Sequence, residues 1–258
     1  MKKIIALSAT LFFVSIAALA QEEENVIEGG NVDQSTMDSL GLKNPEAQQK
    51  YNQGVKMLSQ KNYDGAVTAF TAAIKIDGTF KDAYYGRGKA YKELGKTDEA
   101  VKDFEKTLLL DPSNDDASFL KGKSLLDAGR FEEAAEAFKS AGNIDKSNET
   151  YPYYQGVSLF LMEDYDGAIK AYDNAITRKP EYAYAYNDRG SAKMMKEDYN
   201  GAIRDYENAV KYDNYLAFAY NNLGSAYKAK EDWANAEKYY TEALKRDPKY
   251  HVAYNNRG

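Results

Sequence analysis

Seven glycines, Gly54, Gly88, Gly122, Gly156, Gly190, Gly224 and Gly258, stand 34 residues apart without exception. A period of that length means one small unit built six times and begun a seventh, so the fold has to be a stack whose members bury their faces on one another. Three further registers travel with the glycines. Twelve residues on comes alanine: Ala66, Ala100, Ala134, Ala168, Ala202 and Ala236. Four later comes a ring: Phe70, Phe104, Phe138, Tyr172, Tyr206 and Tyr240. Three beyond that a small residue returns: Ala73, Thr107, Ala141, Ala175, Ala209 and Ala243. Pro112, Pro180 and Pro248 close three of the six units.

Each unit is expected to form two antiparallel helices. Within Ala217–Lys230, the residues Tyr220, Leu223, Gly224 and Tyr227 share one face by i, i+3, i+4, i+7 spacing, and Ala236, Tyr240 and Ala243 do so on the second helix. Glycine and alanine at facing positions let the backbones approach, and the rings fill the space beside them. Asp64, Asp98, Asp166 and Asn200 are expected to cap the second helices by accepting from a free N–H. Asp111-Pro112 and Asp247-Pro248 end them, because proline cannot continue the helical ladder.

These registers resemble the tetratricopeptide repeat (TPR), whose 34-residue unit has small residues at positions 8, 20 and 27, large ones at 4, 11 and 24, and proline at 32. The resemblance covers residues 47–258, as units 47–80, 81–114, 115–148, 149–182, 183–216 and 217–250 with a partial unit 251–258. Departures are local: Lys50 and Gly78 in the first unit, and Ser118, Gly142 and Lys146 in the third. The resemblance implies an all-α fold, a right-handed α-solenoid whose first helices line a concave groove for peptides or protein segments.

Ahead of the array, Lys2 and Lys3 precede an apolar run from Ile4 to Leu19 that ends in Ala18-Leu19-Ala20. This pattern predicts a signal peptide over residues 1–20, cut after Ala20, rather than a retained anchor, and hence a periplasmic or secreted protein without stable membrane insertion. Residues 21–46, with Glu22, Glu23, Glu24, Gly29 and Gly30, show no sustained apolar period and are expected to form a disordered acidic tether. The chain carries 34 basic and 40 acidic residues, a balance opposed to a nucleic-acid partner. It has no cysteine, and its one histidine is His251, the eighth residue from the end, which excludes thiol chemistry, Cys-based metal sites, a multi-histidine metal site and a histidine relay inside the body of the fold. No cofactor and no metal are expected. Adjacent carboxylates such as Asp115 and Asp116 lie in a turn and do not face each other across a cleft, so no enzyme is expected.

On a wheel advancing roughly 100° per residue, packing positions 4, 7, 8 and 11 of each first helix fall together. Positions 2, 5, 9 and 12 fall roughly 140° away, on a side that should be polar. Here that side carries Tyr51, Val55, Leu58, Tyr85, Phe119, Leu126, Tyr153, Val157, Phe160, Tyr184, Met194 and Phe218. Such a stripe is either inter-repeat core or a site for a partner. The tyrosine excess, 23 against 10 phenylalanines, suits the second use, since a tyrosine ring buries area while its hydroxyl stays wet. Position 5 turns to Asn187, Asn221 and Asn255 in the last units, where asparagine either bonds an extended peptide backbone or merely solvates the helix. Lys89, Lys92 and Lys123 share the face with Asp82, Glu93, Asp116 and Asp127. They would meet a carboxylate or form a mixed solvated face. The lysine, asparagine and arginine clamp of chaperone-binding TPR domains is out of register.

Two irregularities complete the pattern. Ala141-Gly142-Asn143 is expected to interrupt the end of the third unit, and with Pro152 it predicts a softer joint between units 1–3 and 4–6. The chain also stops eight residues into a seventh unit, which is read as a fragment of a longer protein or, alternatively, as a bare end free for self-association. The function expected is a non-catalytic scaffold of the cell envelope that binds a protein or peptide. The alternatives are a carbohydrate-binding module using the groove tyrosines, or the recruiting arm of a longer envelope protein.

Overall fold

The computed structural model describes residues 44–257, so the expected signal peptide and most of the expected tether lie outside the described residues. Thirteen α-helices follow one another: α1 (Pro45–Ser59), α2 (Tyr63–Ile76), α3 (Lys81–Glu93), α4 (Thr97–Leu110), α5 (Asp115–Asp127), α6 (Phe131–Ile144), α7 (Thr150–Leu161), α8 (Tyr165–Arg178), α9 (Ala183–Met195), α10 (Tyr199–Tyr212), α11 (Ala217–Ala229), α12 (Trp233–Arg246) and α13 (His251–Arg257). No strand occurs among the described residues. The first helix opens at Pro45, two residues inside the expected tether, with Asn44 accepting from the Ala47 N–H at 3.3 Å. The helices fall into two compact units, α1–α6 ending at Lys146 and α7–α13 beginning at Ser147.

Within each unit the packing rule is the same. Each first helix lies against the second helix of its own hairpin, and each second helix lies against the first helix of the next. The 34-residue glycine marks the closest approach. An ideal Cβ on Gly54, Gly88, Gly122, Gly156, Gly190 or Gly224 would stand 2.6 to 2.9 Å from the ring of Phe70, Phe104, Phe138, Tyr172, Tyr206 or Tyr240, respectively. A methyl group there overpacks the seam, at a cost of about 1–3 kcal/mol.

The turn inside each hairpin is also one design repeated. Its apex residue has positive φ: Lys61 (57°), Gly95 (68°), Gly129 (75°), Glu163 (62°), Glu197 (62°) and Glu231 (60°). The N–H of the following residue reaches back to the first helix, as in Asn62 N–H to Met57 O and Asp164 N–H to Leu159 O, both at 2.9 Å. This six-to-one bond satisfies a carbonyl that the helix end leaves free.

The capping residues differ from those expected. Asn62, Asp164, Asp198 and Asp232 accept from the N–H three residues on, at 3.1, 2.9, 2.9 and 3.2 Å. Asn62, Asp164 and Asp198 stand two positions before Asp64, Asp166 and Asn200, because the apex residue is followed at once by the cap and the helix starts one residue later; Lys96, two positions before Asp98, makes no side-chain cap. Asp98, Asp166 and Asn200 instead accept from Arg130, Lys196 and Lys230 of the next repeat. The expected interruption at Ala141-Gly142-Asn143 is also corrected. Helix α6 runs through to Ile144 with Gly142 buried, at the same length as α2 and α4. Pro152 sits in the first turn of α7, where its missing N–H costs nothing.

Candidate functional site

The positions on the face opposite the hairpin seam behave differently in the two units. In the first unit, Tyr51, Val55 and Leu58 of α1 and Tyr85, Lys89 and Lys92 of α3 are all partly exposed. The Tyr51 ring lies 5.6 Å from that of Phe70 and 5.0 Å from that of Phe80, and the Tyr85 ring lies 6.1 Å from that of Phe104. Each tyrosine is thus fixed along one edge by a core ring and leaves the other to solvent. The Lys89 ammonium stands 5.4 Å over the Tyr85 ring. Burial lowers the Lys89 pKa, opposed by Asp116 and Glu93. Burial raises the Asp82 and Asp116 carboxyls and the Tyr51 and Tyr85 phenols, the last helped by Asp116, Asp115 and Tyr51. A ring pair, a poorly hydrated ammonium and two carboxylates therefore share one surface. In α5 of the same unit, Phe119, Lys123 and Leu126 are buried.

In the second unit most of the stripe is closed. Tyr153 and Val157 of α7 are fully buried, and Phe160 is 7% exposed. The Tyr153 ring lies 5.8 Å from that of Tyr172 and 5.2 Å from that of Tyr182, and its hydroxyl donates to Asp188 Oδ2 at 2.7 Å. Asn187 and Asn221 are buried as well. Asn187 Nδ2 donates to Asp188 Oδ1 at 2.9 Å, Asn222 Nδ2 donates to Asn187 Oδ1 at 3.0 Å, and Asn256 Nδ2 donates to Asn221 Oδ1 at 2.9 Å. The asparagine row is a ladder that bonds each first helix to the next, because position 5 of one repeat faces position 6 of the following one. Asn221 Nδ2 and Asn222 Oδ1 have no hydrogen-bond partner among the described residues. Asn255, at the last rung, is exposed. Phe218 is 6% exposed and 6.0 Å from the Tyr184 ring, while Tyr184 and Met194 remain partly open.

The structure therefore gathers Tyr51, Val55, Leu58, Tyr85, Lys89 and Lys92 on accessible surface of α1 and α3. It places Phe119, Lys123, Tyr153, Phe160, Asn187, Phe218 and Asn221 inside their own units. The wheel could not separate these groups, since one face of a first helix serves both its neighbouring first helix and the solvent. Among the described residues no group of three or more His, Cys, Asp or Glu is placed to hold a metal ion, and no helix is long and apolar enough to cross a membrane.

Family profiles described as Tetratricopeptide repeat match residues 85–147, 155–214 and 217–250, and one described as TPR repeat matches residues 54–95. The chain belongs to the tetratricopeptide repeat family, and like that family it is a non-catalytic protein-interaction scaffold. Among solved structures it is similar to MamA, at 28% identity and TM-score 0.62, over 67% of this chain and 95% of that one. It is also similar to YrrB, described as a TPR protein with an unusual peptide-binding site, at 22% identity and TM-score 0.61, over 74% and 98% of the two chains. A third, PilW, described as a widely conserved type IV pilus biogenesis factor, aligns at 17% identity and TM-score 0.64, over 82% and 98%. At those identities the last two speak for the shared fold. A search of curated proteins returned no match.

Proposed function

We propose that this scaffold holds an extended segment of a partner protein on the open tyrosine face of α1 and α3. The observation that carries the reading is the half-burial of Tyr51 and Tyr85 beside Lys89, while the equivalent Tyr153 and Asn187 are sealed against the following repeat. A ring already fixed along one edge loses little side-chain freedom when a partner covers the other. Lys89 meets an acceptor on the partner, and Asp82 and Asp116 meet a donor, so the face favours a peptide of mixed charge. Lys2, Lys3 and the Ala18-Leu19-Ala20 site support export to the cell envelope, with a mature chain beginning at Gln21. N-terminal sequencing of the envelope fraction checks that placement: a start at Met1 in the cytosolic fraction overturns it.

Peptides selected from a random library on the wild-type protein test the face. Tyr85→Ala is expected to weaken them at least about tenfold, the size of a modest aromatic hot spot, with only a small fall in melting temperature. A large fall in melting temperature with unchanged peptide affinity assigns Tyr85 to the core and overturns the reading. Retention on polysaccharide resin through Tyr51 and Tyr85, with no peptide selected, replaces it with carbohydrate binding.

A further inference from the structure

Ser118 occupies the fourth position of its repeat, where Tyr84, Tyr186 and Tyr220 stand in theirs. Each of those rings fills a slot in the seam. Tyr220 packs against Val210 of the preceding second helix, Leu244 and Tyr239 of its own, and Tyr250. The Arg246 guanidinium lies 4.1 Å above that ring and donates to its hydroxyl at 3.0 Å. Tyr84 lies under Arg87 at 5.6 Å, and Tyr186 lies under Arg189 at 5.2 Å while stacking on Tyr212 at 5.5 Å. The chain thus builds the same ring-sized slot repeatedly and puts a cation over it.

In the third repeat the slot is formed but Ser118 does not reach across it. A cavity of about 230 Å³ remains, lined by Leu108, Ser118, Lys121, Ala137 and Ser140, with Glu133 and Glu136 also on its wall. Leu108 and Ala137 hold the registers of Val210 and Tyr239, two of the residues that pack on Tyr220. Lys121 holds the register of Arg87 and Arg189, and like Arg189 it is anchored by an acid of the preceding second helix, Glu105, at 2.7 Å. Two walls and the cation of a tyrosine slot are present, while Gly142 and Asn148 hold the registers of Leu244 and Tyr250.

We propose that this cavity binds an unphosphorylated tyrosine side chain of a partner protein, which takes the place that Tyr84, Tyr186 and Tyr220 take in their own repeats. Leu108 and Ala137 cover the ring faces, and Lys121 supplies the cation that favours a ring over an aliphatic chain. The cations beside the slot are each paired with a carboxylate, Lys121 with Glu105, Arg130 with Glu133 and Lys139 with Glu136, which suits the slot to a neutral phenol better than to a phosphate. This site is independent of the tyrosine face of α1 and α3, because Ser118 and Lys121 lie on the seam side of α5.

The test uses N-acetyltyrosinamide, its O-phosphorylated form and N-acetylalaninamide, titrated into the full chain and followed by amide NMR. Saturable shifts at Leu108, Ser118, Ala137 and Ser140 are expected with N-acetyltyrosinamide, half-saturating on the order of 1 mM as befits so small a ligand. The phosphorylated form is expected to bind at least about tenfold more weakly, and the alanine compound to give no saturation. Ser118→Tyr fills the slot from within and is expected to abolish binding and raise the melting temperature. Should that variant not fold, Ala137→Leu narrows the slot from the opposite wall and is expected to weaken binding likewise. Tyr85→Ala leaves this binding unchanged, so failure here and failure of the α1–α3 face are read separately. Absence of saturable shifts at these amides, or shifts of equal size in the filled variant, overturns the proposal.

Discussion

Beneath the repeat glycine, α1–α6 place Phe70, Phe104 and Phe138, whereas α7–α12 place Tyr172, Tyr206 and Tyr240. All six side chains are at most 2% exposed, so the two units fill the same volume with the same ring. The added hydroxyl changes what else the repeat must supply. Tyr206 and Tyr240 meet Ser191 and Ser225 at 3.2 and 3.3 Å, each serine one residue beyond the glycine. In the fourth repeat that place is held by Val157, and the Tyr172 hydroxyl has no hydrogen-bond partner among the described residues. Position 5 shows the same contrast. The first unit uses rings that stay partly open in α1 and α3, while the second buries Tyr153, Asn187 and Asn221 in hydrogen bonds from one first helix to the next. At these two positions the second unit therefore relies on polar bonds whose partners have to be present, and the first on the packing of rings.

Alkali should separate the two units most widely. Burial chiefly raises the phenols of Tyr153, Tyr172, Tyr206 and Tyr240, all at most 2% exposed. Each stays neutral in the folded chain at a pH where the unfolded phenol ionises. Their stabilisation is thus complete below about pH 10 and falls as pH rises through 10 toward the folded values, by up to about 1.4 kcal/mol per tyrosine per pH unit. Ring NMR signals and tyrosinate absorbance are expected to show α7–α13 opening at lower pH than α1–α6; the reverse order would break the comparison.

A smaller, more local effect is expected from Asn187→Ala. It removes an acceptor from Asn222 and a donor from Asp188, both buried, at about 2–3 kcal/mol. Native-state hydrogen exchange should place the loss in α9–α11 and leave α1–α4 unchanged. The smallest change runs the other way. Tyr172→Phe deletes a hydroxyl without a partner and is expected to gain about 1 kcal/mol, while Tyr206→Phe, which breaks a bond to Ser191, loses about 0.5–1.5 kcal/mol. Thermal unfolding of the two variants side by side checks both signs; equal losses would mean that the hydroxyl of Tyr172 is satisfied after all.

Much of the hairpin was legible in the residues. Glycine, alanine and ring recur at spacings that only a helix pair satisfies, and the structure sets each ring on its glycine. The caps were displaced by two residues, since acids at the first turn and at the cap look alike in a turn rich in Asp and Asn. Gly142 looked like a break, yet the helix continues because packing on both sides outweighs the roughly 1 kcal/mol that a helical glycine costs. The candidate face was half legible: the stripe was visible, but Tyr51 and Tyr153 occupy the same register and only one is open. The departure at Ser118 was visible too, though not what it leaves behind.

What the sequence alone determined was the period, and with it the pairing of helices, because steric contact between a glycine and the ring sixteen residues later is local to one hairpin. What only the tertiary structure decided was which side chains of one register face solvent and which face the neighbouring repeat. That depends on residues 30 to 35 positions away, such as Asp188 against Tyr153 and Asn222 against Asn187, and no window short enough to show helical periodicity contains both.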